Sequence, residues 1–247
     1  MGTSIVPAQP TGMDVAAAAL RYWEQRQNIA SSNIANVSTD GFKAERAFAQ
    51  LMGDGASPVI RAATDLSAGP MSATGAPLDL AVQGAGFFVV QTANGERLTR
   101  GGPMQIDARH QLVDRSGDPA LGQADAAGGT AGPITIPPGT ATLTIDAGGA
   151  VIADGKQVAR LRLEQAQPGS QLQHNTNGHF IPAASMASVP VALRTVRQGM
   201  IEQSNVSSVG SMVDMIAIQR AYANVQQIMT AMDAARGIAT TEIGKPD

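Results

Sequence analysis

Residues 13–40 contain neither Gly nor Pro, and residues 204–236 contain only Gly210, whereas residues 51–200 hold most of the chain's 27 Gly and 14 Pro. Gly and Pro break helices and mark turns. The 247-residue chain therefore divides into a helix-permitting start, a long turn-rich middle and a helix-permitting end. That order, with helices at both termini and none between, argues against an alternating α/β sheet.

The first segment carries one clean pattern. Met13, Ala16, Leu20, Trp23, Gln27, Ala30, Ile34 and Val37 are spaced alternately three and four apart. This is the seam of a coiled coil rather than the wider face of a surface helix, with Gln27 as a polar, register-setting exception. Asp40-Gly41 reads as the stop, because Gly tolerates the left-handed conformation that ends helices. The last segment repeats the pattern in Met215, Ile218, Tyr222, Val225, Met229 and Met232. A second apolar set, Val209, Met212, Val213 and Ile216, falls on a neighbouring face, and Ser204 and Asn205 stand ready to cap the helix. A helix apolar on two faces needs several partners. One N-terminal helix does not suffice, so the seams are expected to pack on the middle region or on other copies of the chain.

The middle reads as β. Phe87-Phe88-Val89-Val90 turns at Thr92-Ala93-Asn94-Gly95 into Glu96–Arg100, a hairpin pattern. In Thr140–Asp146, Leu143 and Ile145 share one face while Thr142 and Thr144 share the other. Gly148-Gly149 and Asp154-Gly155 mark further turns, leading to Val151, Val158, Leu161 and Leu163, and the Ala/Gly-rich stretch Gln123–Gly132 reads as a loop.

The chemistry-bearing residues are few. With no Cys, 15% charged residues, 3% aromatics and a net charge of −3, disulfides, thiolate nucleophiles and sulfur-bound metals are excluded, and a nucleic-acid surface is not expected. No apolar run is long enough to span a bilayer, and Met1–Gly12 lacks the charged and apolar regions of a secretory signal. Gly84-Ala85-Gly86 lacks the third glycine of a dinucleotide loop, which falls at Val89; it reads as a close backbone approach before a strand. His110, His174 and His179 read as solvated loop histidines, and Asp107, Asp114, Asp118, Asp146 and Asp154 read as turn-supporting acids. No cofactor, metal or catalytic residue is expected.

Three blocks then carry a resemblance. Asn33-Ile34-Ala35-Asn36-Val37-Ser38-Thr39-Asp40-Gly41-Phe42-Lys43, Asp79 through Gly84-Ala85-Gly86-Phe87 to Val90, and Ser204-Asn205-Val206 through Gln219-Arg220-Ala221-Tyr222 resemble, in order, the signature blocks of bacterial flagellar rod and hook proteins. The resemblance implies an α+β fold, with N- and C-terminal helices forming an inner coiled-coil domain and an all-β, hairpin-rich middle domain outside it. The boundaries expected are an N-terminal extension over 1–12, the first helix and turn over 13–50, the β-rich middle with linkers over 51–200, and the C-terminal helix over 201–247.

The resemblance further implies no enzymatic activity, export through the flagellar type III apparatus without a cleaved signal, and helical polymerisation into the hollow, torque-transmitting rod of the basal body. Its partners would be copies of itself and neighbouring rod proteins. The short middle resembles the proximal-rod type more than the distal-rod or hook types. Leu20, Trp23, Ala30, Ile34, Val37, Met212, Met215, Ile216, Ile218, Tyr222, Val225 and Met229 are the expected assembly contacts. Asn33, Asn36, Thr39, Gly41, Phe42, Lys43, Gly84, Gly86, Phe87, Ser204, Asn205, Val206, Gln219 and Arg220 carry the family pattern. The reading from a different class is a monomeric β-rich binding module whose ends pair within one chain.

Overall fold

A computed structural model describes residues 11–50, 59–124, 131–167, 172–175, 178–182 and 185–243. The chain forms two compact units. The first comprises Met1–Ala35, Glu45–Ala63 and Ser207–Asp247; the second comprises Asn36–Ala44 and Thr64–Val206.

The first unit is built on two long helices, α1 (Gly12–Ala35) and α2 (Ser208–Ile243), together with a pair of strands, Glu45–Gln50 and Val59–Thr64. At 1.5 Å per residue the helices are about 36 and 54 Å long. Thr11 caps α1: its Oγ1 accepts the Asp14 N–H at 3.3 Å while Asp14 Oδ2 accepts the Thr11 N–H at 2.9 Å, a reciprocal capping box. A Cβ built on Gly12 would lie 3.3 Å from Met232 Cε. The start of α1 thus meets the far part of α2, and the two pack antiparallel.

Two local expectations are corrected here. Helix α1 ends at Ala35, before Val37 and well before Asp40-Gly41, so Val37 stands in the following turn. Helix α2 is capped by Ser207, whose Oγ accepts the Gly210 N–H at 3.2 Å, rather than by Ser204 or Asn205. Ser204 Oγ instead accepts the Val206 N–H.

The second unit is built of β-strands, with one short helical turn at Val191–Leu193. An antiparallel six-stranded sheet runs in the order Gln173–His174, Phe180–Ile181, Gly95–Thr99, Gly86–Thr92, Leu163–Ala166, Met186–Ser188. Thr92 pairs with Gly95, which leaves the two-residue turn Ala93-Asn94. The strand Gly86–Thr92 alternates between two cores. Phe88 packs with Leu80, Leu112, Val151 and Leu163, whereas Phe87 and Val89 pack with Leu98, Leu121 and Phe180. That double burial is why this strand reads as an unbroken apolar run.

Leu143–Ile145, Ala150–Ala153 and Lys156–Arg160 form a three-stranded meander. Its second turn is Asp154-Gly155, with φ of +47° and +81°, the left-handed pair that a type I′ hairpin requires. Ile145 enters the larger core and Leu143 packs against it. The Ala/Gly stretch is described only at its ends: Leu121–Gly122 pairs with Gly132–Pro133, while 125–130 lie outside the described residues. No helix among the described residues is long and apolar enough to cross a membrane.

Candidate assembly site

Helices α1 and α2 are in contact, and most positions of the two 3-4 stripes are sheltered, except that Val37 lies beyond α1 and Met232 is 37% exposed. On α1, Met13, Leu20, Trp23, Gln27 and Ile34 are half-buried and Ala16 and Ala30 buried. On α2, Met215, Tyr222, Val225 and Met229 are half-buried, and Ile218 is only 2% exposed. Each seam therefore has a partner inside the chain. Arg26 lies over the Trp23 ring at 5.3 Å and shields its outer face.

The second apolar set of α2 is left bare. Val209 is 71% exposed, Val213 60%, Met212 54% and Ile216 52%. Gln219 and Arg220 are exposed on the same helix. Val213, Ile216, Ala217, Arg220, Ala221 and Asn224 border a shallow groove. Of the expected contacts, Met212 and Ile216 thus face outward, whereas Leu20, Trp23, Ala30, Ile34, Met215, Ile218, Tyr222, Val225 and Met229 face into the helix pair. Four neighbouring apolar side chains in water mark an interaction surface rather than an accident of composition.

One signature residue, Lys43, belongs to a buried polar knot in the β unit. Lys43 Nζ lies 2.6 Å from Glu202 Oε1, and Arg100 Nε lies 2.7 Å from Glu202 Oε2. All three side chains are buried. Lys43 also donates to the Ser67 carbonyl at 2.5 Å. The Arg100 guanidinium donates to the carbonyls of Val82, Gly84 and Gly86, so the glycines of the second block are acceptors for a buried cation, not a phosphate cradle. Gly69 donates its N–H to Glu202 Oε1 at 2.8 Å.

Burial alone would raise the Glu202 carboxyl; the Arg100 charge and the hydrogen bonds from Arg100, Lys43 and Gly69 outweigh it and hold the group below its ordinary range. Lys43 is held below the usual lysine range by burial, against the opposing pull of Glu202.

Other signature residues lie in the turn after α1, beside this knot or in the first unit. Asn33, near the end of α1, clasps one residue of the first unit: its Nδ2 donates to the Glu45 carbonyl at 2.9 Å and its Oδ1 accepts the Glu45 N–H at 3.0 Å. Thr39 Oγ1 donates to Asn36 Oδ1. Gly41 has φ +69°, and a Cβ there would lie 2.9 Å from Arg100 Cβ, so its glycine serves the approach to Arg100 rather than a helix stop. Phe42 stacks on His174 at 4.8 Å. Asn205 gathers the segments at the unit's edge, accepting the Ala44 N–H and donating to the carbonyls of Asp65 and Ser67.

The histidine expectation is overturned. His179 is buried, with Nε2 2.6 Å from Asp114 Oδ2, and His174 bonds the Lys43 carbonyl. His110 alone is exposed, at a turn with φ +60°. Three of the acids support turns: Asp107, Asp114 and Asp146 each accept nearby backbone N–H groups, whereas Asp154 accepts the Ala141 and Thr142 N–H groups 12–13 positions away.

The chain thus combines a helix pair that carries an open apolar face with a β unit knotted from within. The family model "Flagella basal body rod protein" matches residues 13–43, "Flagellar hook protein FlgE/F/G D1 domain" matches 81–153, and "Flagellar basal body rod FlgEFG protein C-terminal" matches 197–241. The flagellar basal-body rod protein FlgF of Caulobacter vibrioides is 34% identical over 88% of this chain and 91% of its own length. That of Escherichia coli is 35% identical over 87% and 90%. A flagellar basal-body rod protein FlgG of Buchnera aphidicola is 30% identical over 79% and 85%. The chain belongs to the family of flagellar basal-body rod proteins.

Proposed function

We propose that this chain is a structural subunit of the proximal part of the flagellar rod, polymerising helically through its terminal helices. The observation that carries the assembly reading is the bare row Val209, Met212, Val213 and Ile216 on α2, opposite a seam already covered by α1. The two seams form an antiparallel coiled coil within the subunit, and the bare row packs on neighbouring rod subunits. Burial of that row on assembly, at roughly 25 cal/mol per Å² of apolar surface, supplies the driving force, and many such contacts in parallel transmit torque. The proximal assignment rests on the FlgF relatives, which match at 31–35% identity over most of this chain, against 30% for the FlgG relative. Type III export and neighbouring rod proteins as partners belong to the same reading.

The test is incorporation into the basal body. Val213→Asp or Ile216→Asp places a charge on the exposed face without touching the seam. Each variant is expected to remain folded as a monomer, by circular dichroism, yet to be missing from purified basal bodies and to abolish motility. Normal incorporation of both would remove this face from the assembly contacts.

A further inference from the structure

We propose that His179 and Asp118 form a binding site for a divalent transition-metal ion of the zinc type, with Asp114 orienting the imidazole. The inference stands independently of the rod assignment. Asp114 Oδ1 accepts the backbone N–H groups of Ser116 at 2.8 Å and Asp118 at 2.9 Å, which fixes the carboxylate. Its Oδ2 lies 2.6 Å from His179 Nε2. A carboxylate only accepts, so in the neutral ring Nε2 carries the hydrogen, which leaves the Nδ1 lone pair for a metal. The His179 side chain is 4% exposed, and Nδ1 makes no hydrogen bond among the described residues.

Nδ1 is aimed at Asp118 Oδ2, 3.8 Å away. That separation is too long for a hydrogen bond. It suits two ligands of one ion, each about 2.0–2.2 Å from it. An imidazole that binds metal through one nitrogen and donates the other N–H to a carboxylate is the recurring outer-shell arrangement of such sites.

Arg115, the cation next in sequence, is largely exposed and reaches Asp40 at 3.3 Å instead. Asp114, Asp118 and His179 present ligand atoms within 4.8 Å of one another. Imidazole nitrogen with carboxylate oxygen suits zinc and its neighbours better than calcium or magnesium. With two protein ligands the site is weaker than a closed four-ligand one. It joins positions 65 residues apart, so it exists only in the folded unit, which the bound ion stabilises by mass action.

The experiment is calorimetric titration of the full chain with zinc chloride, with thermal unfolding measured in zinc and in EDTA. One stoichiometric site is expected, with a higher melting temperature in zinc. Both effects should be lost in His179→Gln and in Asp118→Asn and kept in His110→Gln. Asp118→Asn is the decisive variant, because that carboxylate anchors no buried hydrogen bond and the protein should fold without it. A site that survives Asp118→Asn, or no heat and no stabilisation at millimolar zinc, overturns the proposal.

Discussion

Removing the charge of Glu202 tests whether the polar knot holds the β unit together. Glu202→Gln keeps the shape of the side chain but leaves Lys43 and Arg100 as two buried cations without a counter-charge. Breaking a buried ion pair by neutralising one partner costs about 3–5 kcal/mol, because the other charge stays desolvated. At about 2–4 °C per kcal/mol for a unit of this size, the β transition should fall by roughly 6–20 °C. Lys43→Met removes a cation instead and leaves Glu202 paired with Arg100 and Gly69; it loses the bonds to Glu202 and to the Ser67 carbonyl, at about 1.5–3 kcal/mol for each hydrogen bond to a charged group. The double substitution should cost less than the sum, since Lys43→Met removes one of the cations that Glu202→Gln would orphan.

The pH dependence fixes the sign. Glu202 is depressed in the folded chain, so its contribution is complete above the unfolded carboxyl value of about 4.3 and is lost as pH falls through the folded value. The gap between wild type and Glu202→Gln should therefore be widest near neutral pH and close in acid. Urea unfolding followed by circular dichroism reads the β unit, while fluorescence of Trp23, the sole tryptophan, reads the helix pair. A β unit destabilised by less than about 1 kcal/mol, or a gap unchanged in acid, would refute the reasoning.

Other substitutions separate the remaining roles. Gly101→Ala puts a Cβ 2.1 Å from the Leu80 carbonyl oxygen at φ +106°; the backbone conformation alone costs about 1–3 kcal/mol, and loss of soluble folded protein on expression is the expected readout. Asn205→Ala removes its bonds to Ala44, Asp65 and Ser67, and faster amide exchange at Ala44 should follow, with the helix pair unaffected. Ile218→Asp buries a carboxylate between the helices and should abolish helical circular dichroism of the first unit, unlike Ile216→Asp on the open face.

Patterns confined to one element were legible in the sequence. The 3-4 stripes announced both helices, and the two-residue turns at Ala93-Asn94 and Asp154-Gly155 announced their hairpins. What the local patterns could not show was which groups meet across long separations. Lys43 and Glu202 are 159 positions apart, and Arg100 and Glu202 are 102 apart. Arg100 and Glu202 were missed for that reason. The available signal was weak: a charged residue at the end of an apolar pair, Met200-Ile201, in a chain with few charges. His179 was misread as solvated because Asp114, which buries with it, is remote in sequence. Helix α1 was extended too far because the apolar spacing continued through Val37, whereas the chain had already turned at Asn36 to let Thr39 and Asn36 bond each other.

The structure also separates two kinds of residue that a family signature mixes together. Lys43, Gly86, Phe42, Phe87 and Ser204 are buried inside the β unit, so no neighbouring subunit can touch them without unfolding it. Their chemistry is that of internal closure: one carboxylate, two cations and a ring of backbone carbonyls that few other side-chain sets could satisfy. Gln219 and Arg220 lie on the exposed side of α2, beside the bare apolar row, where side chains can meet a partner. A substitution in the first group should therefore fail before assembly, as a folding defect seen in the isolated chain. One in the second group should fail only at assembly, with a normal monomer. Motility alone does not distinguish the two, but melting the purified chain does.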